Sequence, residues 1–193
     1  MGNCRSMIHT LPDEEIAEIA KETGFTRKQI TRLHTRFLSL DKHGRGYLER
    51  DDFFAIPEIV VNPLGDRIID AFFDEVSDPE GQMKFEDFAR VLAHFRPRKE
   101  NETNDINSRE KKLRFAFAMY DLNKNGYITR HEFKVILIMM IGPHVSDQEL
   151  ECITDRTMKE GDYVKDGQIS FQEFSQAMDR LHIEELMSIR FGD

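Results

Sequence analysis

The chain has 193 residues, 39 % of them hydrophobic and 33 % charged, enough apolar mass to bury a good core in one or two small globular units. Its formal net charge of −9 argues against nucleic acid as a main partner, because phosphate binding needs a basic face. No run approaches a membrane span, the N-terminus lacks the apolar core of a secretory signal, and Cys4 and Cys152 are too few for a disulfide framework or a zinc site, so a reducing, cytosolic setting is expected.

Met1-Gly2-Asn3-Cys4-Arg5-Ser6 matches the acceptor pattern in which Gly2 is myristoylated after Met1 is removed. So short a pattern also arises at ordinary chain starts. One myristoyl chain holds a membrane only marginally, so a second element is required. Palmitoylation of Cys4 or a partner already in the membrane would supply it; the plain alternative for Cys4 is an exposed thiol.

After a leading segment, residues 1–25, Thr26-x-x-Gln29 forms a capping box that opens a helix carrying Ile30, Leu33, Phe37 and Leu40 at helical spacing. Beyond it lies the first of four copies of one pattern: glycine, any residue, an apolar residue, three residues, an acid, phenylalanine. The copies are Gly46, Leu48, Asp52, Phe53; Gly81, Met83, Asp87, Phe88; Gly126, Ile128, Glu132, Phe133; and Gly167, Ile169, Glu173, Phe174. Glycine spacings of 35, 45 and 41 residues are those of repeated supersecondary units, here helix, loop and helix. Ser108 and the box Ser146-x-x-Glu149 open the entering helices of the third and fourth units, and Leu113, Phe117 and Tyr120 form the stripe before the third loop. Leu48, Met83, Ile128 and Ile169 suit short two-stranded pairings between adjacent loops. The expected fold is therefore all-α, with four units in two lobes, residues 26–95 and 110–181, joined by a polar connection over 96–109 and followed by a tail, 182–193.

The third loop carries the chemistry. Calcium takes six to eight hard oxygen ligands, and a twelve-residue loop supplies them from positions 1, 3, 5, 7, 9 and 12 around a glycine at 6. Asp121, Asn123 and Asn125 give side-chain oxygens, Tyr127 its carbonyl, Thr129 a bridging water and Glu132 a bidentate carboxylate. The bland alternative, an Asx-rich turn with Thr129 and Glu132 as a capping box, is compatible with the same residues. The fourth loop keeps Asp162, Asp166, the Gln168 carbonyl, Ser170 and Glu173, but Val164 at position 3 offers no oxygen, which makes it the weaker site. In the first loop His43 and Arg45 stand at positions 3 and 5, and the loop should be empty. The second has Val76 at position 1, or two extra residues if counted from Asp74, with Lys84 and Asp87 later, and should also be empty. One Ca2+ site is expected at the third loop and a second remains open at the fourth.

The helix leaving the third loop contains Val135-Ile-Leu-Ile-Met-Met-Ile141, apolar on every face, and so needs cover on every side. It is either a buried core helix or one wall of a groove for an amphipathic partner helix, formed by Phe133, Ile136, Leu137, Met139, Met140, Met178 and Leu181. The tail from Leu181 to Phe191 is expected to cover that groove in cis until a target arrives. An enzyme is not expected: there is no nucleophile signature, no phosphate-cradling glycine motif, and the seven histidines lack ligand spacing.

The sequence resembles the calcineurin B homologous proteins over essentially its whole length. The matching stretches are Gly2 with Glu22-Thr-Gly-Phe25, Asn62-Pro-Leu-Gly-Asp-Arg-Ile68, Leu92-Ala-His-Phe-Arg-Pro97, Asn107-Ser-Arg109, Lys112-Leu-Arg-Phe-Ala-Phe117, Asp155-Arg-Thr157 and Met187-Ser-Ile-Arg-Phe191. The resemblance implies an EF-hand fold and an N-myristoylated, calcium-binding accessory protein in the cytoplasm, peripherally attached to the plasma membrane or endomembranes. It further implies that the chain binds the juxtamembrane helix of a membrane transporter, a sodium/proton exchanger, and supports its stability, trafficking and pH regulation. Regulation or inhibition of the calcineurin catalytic subunit is the alternative, as is a role in membrane traffic. By resemblance the lipid site is Gly2 and the calcium sites are Asp121 to Glu132 and Asp162 to Glu173. The departures are Val164 and a connection between lobes shorter than the family's.

Overall fold

The computed structural model describes residues 11–76, 78–98, 105–142, 145–189 and 191. Gly2 and Cys4 lie outside the described residues, as does the middle of the expected connection. Each helix start follows local chemistry. Helix α1, Asp13–Thr23, has three acids in its first turn and ends at Gly24, whose φ of 69° supplies the left-handed cap. Helix α2, Arg27–Leu40, begins at the Thr26/Gln29 capping box and buries Ile30, Leu33, Phe37 and Leu40. A 3-10 segment, Arg50–Ala55, and the one-turn helix α3, Pro57–Val60, follow the first loop. A full exiting helix was expected there. Pro57 removes an amide and cannot continue the turn, so the chain restarts at it.

Helix α4, Gly65–Phe73, and helix α5, Phe85–Ala93, flank the second loop. Helix α6, Arg109–Tyr120, is capped by Ser108, whose hydroxyl accepts from the Lys111 amide. Strand β1, Tyr127–Thr129, leads into helix α7, Arg130–Ile141. Helix α8, Asp147–Gly161, opens at the Ser146/Glu149 box, and strand β2, Gln168–Ser170, runs into helix α9, Phe171–Ala177. The last element is the short helix α10, Ile183–Leu186. The two strands pair antiparallel with Ile128 opposite Ile169, and Leu48 bridges Met83 between the first two loops. The fold is thus mostly helical. Among the described residues no helix is long and apolar enough to cross a membrane.

Two hydrophobic clusters form. The first runs from Ile16 to Phe95 and includes Phe115 of α6; the second gathers Leu113, Phe117, Ile128, Met158, Ile169, Phe174 and Ile183. Helix α6 therefore sits astride both, with Phe115 against Phe72 and Phe95 and Phe117 against Phe171 and Phe174. The ends of the connection are packed rather than loose. Arg96 and Asn107 are buried, the Asn107 amide donates to the Arg96 carbonyl, and His94 places Nδ1 2.6 Å from the Ile106 carbonyl and Nε2 3.2 Å from Glu75.

The tail does not take the course expected of it. Helix α10 packs on α6, and beyond it the chain crosses to the first cluster: the Ile189 amide donates to the Phe95 carbonyl, and the Phe191 ring stands edge-on to Phe25 at 4.9 Å. Buried Lys112 fixes this path by donating to the Glu184 carbonyl at 2.9 Å and to Ser188 Oγ at 2.8 Å. Burial lowers its pKa, with the Glu184 charge pulling the other way.

Candidate calcium loops and apolar cavity

The third loop is a cage built by backbone amides. Asp121 Oδ1 accepts from the Asn125 amide at 3.1 Å and Oδ2 from Gly126 at 2.8 Å; Asn123 Oδ1 accepts from Asn125 and Asn125 Oδ1 from Tyr127. Gly126, at φ 86°, makes the turn that brings these groups round. At the far end Glu132 Oε1 accepts from the Leu122 and Asn123 amides, and Oε2 from the Thr129 amide and hydroxyl. Burial pushes the Glu132 carboxyl up, but the hydrogen bonds from Thr129, Asn123 and Leu122 outweigh it and leave its pKa below the ordinary carboxylate value. Asp121 and Glu132 are 6 % and 4 % exposed, so the loop encloses two carboxylates beside the side-chain oxygens of Asn123 and Asn125. That donor set suits a divalent cation that prefers hard oxygen.

The fourth loop repeats the cage with a gap. Asp162 accepts from the Lys165, Asp166 and Gly167 amides, Asp166 from Gln168, and Glu173 from the Val164 amide and from Ser170. Burial raises the Glu173 carboxyl and the Ser170, Val164 and Tyr163 donors more than offset it, so it too titrates low. Val164 is 70 % exposed and its side chain has no oxygen to offer at position 3; its N–H bonds Glu173 as that of Asn123 bonds Glu132. Among the described residues no group of three His, Cys, Asp or Glu side chains could hold a metal alone. Loops that draw on amide and carbonyl oxygens need no such group.

The first loop holds a cation of its own. Arg45 donates from Nη1 to Glu49 at 2.6 Å and from Nη2 to Asp52 at 2.5 Å, at loop positions 9 and 12, while Asp41 accepts from the Arg45 and Gly46 amides. The guanidinium occupies the carboxylates that an ion would use. In the second loop Asp78 accepts from the Glu80 and Gln82 amides.

The seven residues expected to form a groove are dispersed. Phe133 and Met178 line a cavity of about 430 Å³ under the paired strands, together with Tyr120, Ile128, Ile169 and Phe174, and with Glu160 and Arg180 also on its wall. Ile136 is fully buried and does not line this cavity; Leu137 and Met139 are half-buried; Met140 and Leu181 are exposed. Burial on α7 fades toward its end, leaving Ile138 and Met140 about half exposed, because the helix packs chiefly on α8 and is not covered by the tail. Two residues near the loops carry little mark in the sequence. Arg67 and Lys112 stand out only as members of stretches that carry the resemblance, residues 62–68 and 112–117; Lys112 also lies three residues before Phe115, on the same helix face.

Paired loops joined by a two-stranded bridge between helices define a calcium-binding EF-hand pair, and residues 110–179 match the family model for the EF-hand domain pair. The calcineurin B subunit of Naegleria gruberi is 40 % identical over 181 residues, covering 94 % of this chain and 96 % of the relative. The type 1 calcineurin B subunit of Dictyostelium discoideum is 34 % identical with both chains wholly covered, and the calcineurin B subunit of Candida glabrata is 33 % identical over 94 % of this chain and 97 % of its own. The chain belongs to the calcineurin B-like EF-hand family, and Ca2+ is its metal.

Proposed function

We propose that the chain is a non-catalytic regulatory protein, built as four EF-hand units in two lobes, that receives an amphipathic helix from a larger partner. The observation that carries this is the open apolar cavity of about 430 Å³ beneath the third and fourth loops, with exposed Ile138 and Met140 on the neighbouring helix. Methionine adapts its shape to an incoming face. The kinship with calcineurin B subunits favours the catalytic subunit of a calcineurin-type phosphatase as the partner.

A second reading is favoured by Arg45, which closes the first loop to calcium. A subunit with calcium confined to its C-terminal half suits constitutive attachment to a transporter, the juxtamembrane helix of a sodium/proton exchanger, supporting its stability, trafficking and pH regulation. Myristoylation of Gly2, with or without a palmitoyl group on Cys4, would then join the partner as the second membrane element, placing the protein in the cytoplasm at the surface of the plasma membrane or endomembranes.

Calorimetric titration of the calcium-loaded chain with a peptide from each helix distinguishes the two. Displacement of the exchanger peptide by the phosphatase peptide supports the first reading and the reverse order the second. Binding of neither at micromolar concentration sinks both. Intact-mass measurement of the expressed chain and its Gly2→Ala variant checks the lipid.

A further inference from the structure

Helix α4 reaches across to the entrance of the third loop. Arg67 is 9 % exposed, and each arm of its guanidinium is engaged: Nε donates to the Met119 carbonyl at 3.0 Å, Nη2 to the Ala118 carbonyl at 2.9 Å and Nη1 to Asp70 at 2.7 Å. Ala118 and Met119 belong to the last turn of α6, where carbonyls have no partner inside the helix and the helix dipole is negative. An arginine from another element thus completes α6 just before Asp121, the first calcium ligand. Asp74, at the end of α4, is ion-paired with Lys124, the fourth residue of the loop. Asp74, Ala118, Asp121, Lys124 and Gly126 line one recess of about 530 Å³.

We propose that α4 is a positioning element for the third calcium site, with Arg67 holding the end of α6 and Asp74 holding the loop, so that calcium at Asp121–Glu132 and the order of Gly65–Phe73 are thermodynamically coupled. The inference rests on calcium binding at the third loop. A loop held at its entry and at its fourth residue has less freedom to lose on closing round an ion. Asp74 also offsets the Lys124 charge, which would otherwise oppose the cation. Both effects strengthen calcium binding, and by linkage the ion tightens α4 in return. The N-terminal half, whose first loop holds an arginine in place of an ion, thereby responds to calcium bound elsewhere.

The test uses the full chain carrying Glu173→Gln, which disables the fourth loop, with Arg67→Met, Arg67→Lys and Asp74→Asn added singly. Calcium affinity is measured by calorimetry and amide exchange along α4 by mass spectrometry, with and without calcium. Arg67→Met should weaken calcium binding at least about five-fold and abolish the calcium-induced protection of α4. Arg67→Lys should restore part of both, since one ammonium replaces a fork. Asp74→Asn should weaken binding about two- to five-fold. If Arg67→Met does not fold, Asp74→Asn, a change at a side chain 27 % exposed, decides alone. A purely structural role for Arg67 would lower stability in chelator yet leave calcium affinity and the α4 response unchanged, and that result overturns the proposal. Absence of any calcium heat in the parent removes the loop assignment too, whereas normal heat with an indifferent α4 removes only the coupling.

Discussion

Phe115→Ala tests whether α6 joins the two hydrophobic clusters. Phe115 is 4 % exposed and its ring stands edge-on to Phe72 at 5.7 Å and to Phe95 at 4.9 Å, on α4 and just past α5. Truncating a buried phenylalanine costs about 3–5 kcal/mol in transfer and cavity terms, and each edge-on pair within that figure is worth about 0.5–1.5 kcal/mol beyond area. Against a typical stability of roughly 5–15 kcal/mol, this is a large fraction, and it corresponds to a fall in Tm of roughly 6–20 °C for a chain of this size. Denaturant unfolding in excess chelator gives the energy free of calcium linkage, and hydrogen exchange shows where protection is lost. Phe117→Ala is the matched control, since Phe117 packs on Phe171 and Phe174 in the second cluster. Phe115→Ala should open α1, α2, α4 and α5, and Phe117→Ala should open α8 and α9. A loss below about 1 kcal/mol, or the same exchange pattern for both variants, would refute a helix shared between clusters.

The first loop should become a calcium site when its own cation is removed: His43→Asp with Arg45→Asn should add one equivalent of calcium in a titration, while Arg45→Asn in a Glu132→Gln, Glu173→Gln background tests whether the first loop alone then binds. Lys112→Ala removes the charged hydrogen bonds to the Glu184 carbonyl and Ser188 Oγ, at about 1.5–3 kcal/mol, and should release the tail to proteolysis after Arg180 in chelator. Glu75 titrates low chiefly through its hydrogen bond to His94, against the cost of burial. A carboxyl lowered in the folded state stabilises above its unfolded value and loses that contribution as pH falls through its folded value. Glu75→Gln should therefore cost stability at neutral pH and flatten the decline seen below the ordinary value of 4.5, with wild type and variant converging at still lower pH in chelator-containing melts.

The elements set by local chemistry could be read directly. The Thr26/Gln29, Thr129/Glu132 and Ser146/Glu149 boxes all form, because each needs only neighbours three residues apart. The stripe of Ile30, Leu33, Phe37 and Leu40 is buried, and Ile128 and Ile169 meet across the loops, since period and position fix both. What could not be read depended on partners distant in sequence. Phe191 belongs with Phe25, at the opposite end of the chain, so apolar content alone could not say which half the tail would join. Arg67 lies beside Asp66 and three residues before Asp70, neighbours that say nothing of its burial, which follows from where α6 ends. The apolar run on α7 fitted either a buried core helix or a groove wall, because periodicity carries no information on how far a neighbouring helix extends.

Arg45 lends the molecule an asymmetry toward reagents. A metal ion can be stripped by a chelator, but a guanidinium tied to the backbone has an effective concentration that no scavenger lowers. Its bonds to Glu49 and Asp52 are instead screened by salt. Chelation therefore acts at the bound metal and ionic strength at the Arg45 ion pairs, and a cell that swings its calcium reaches the N-terminal half only through α4.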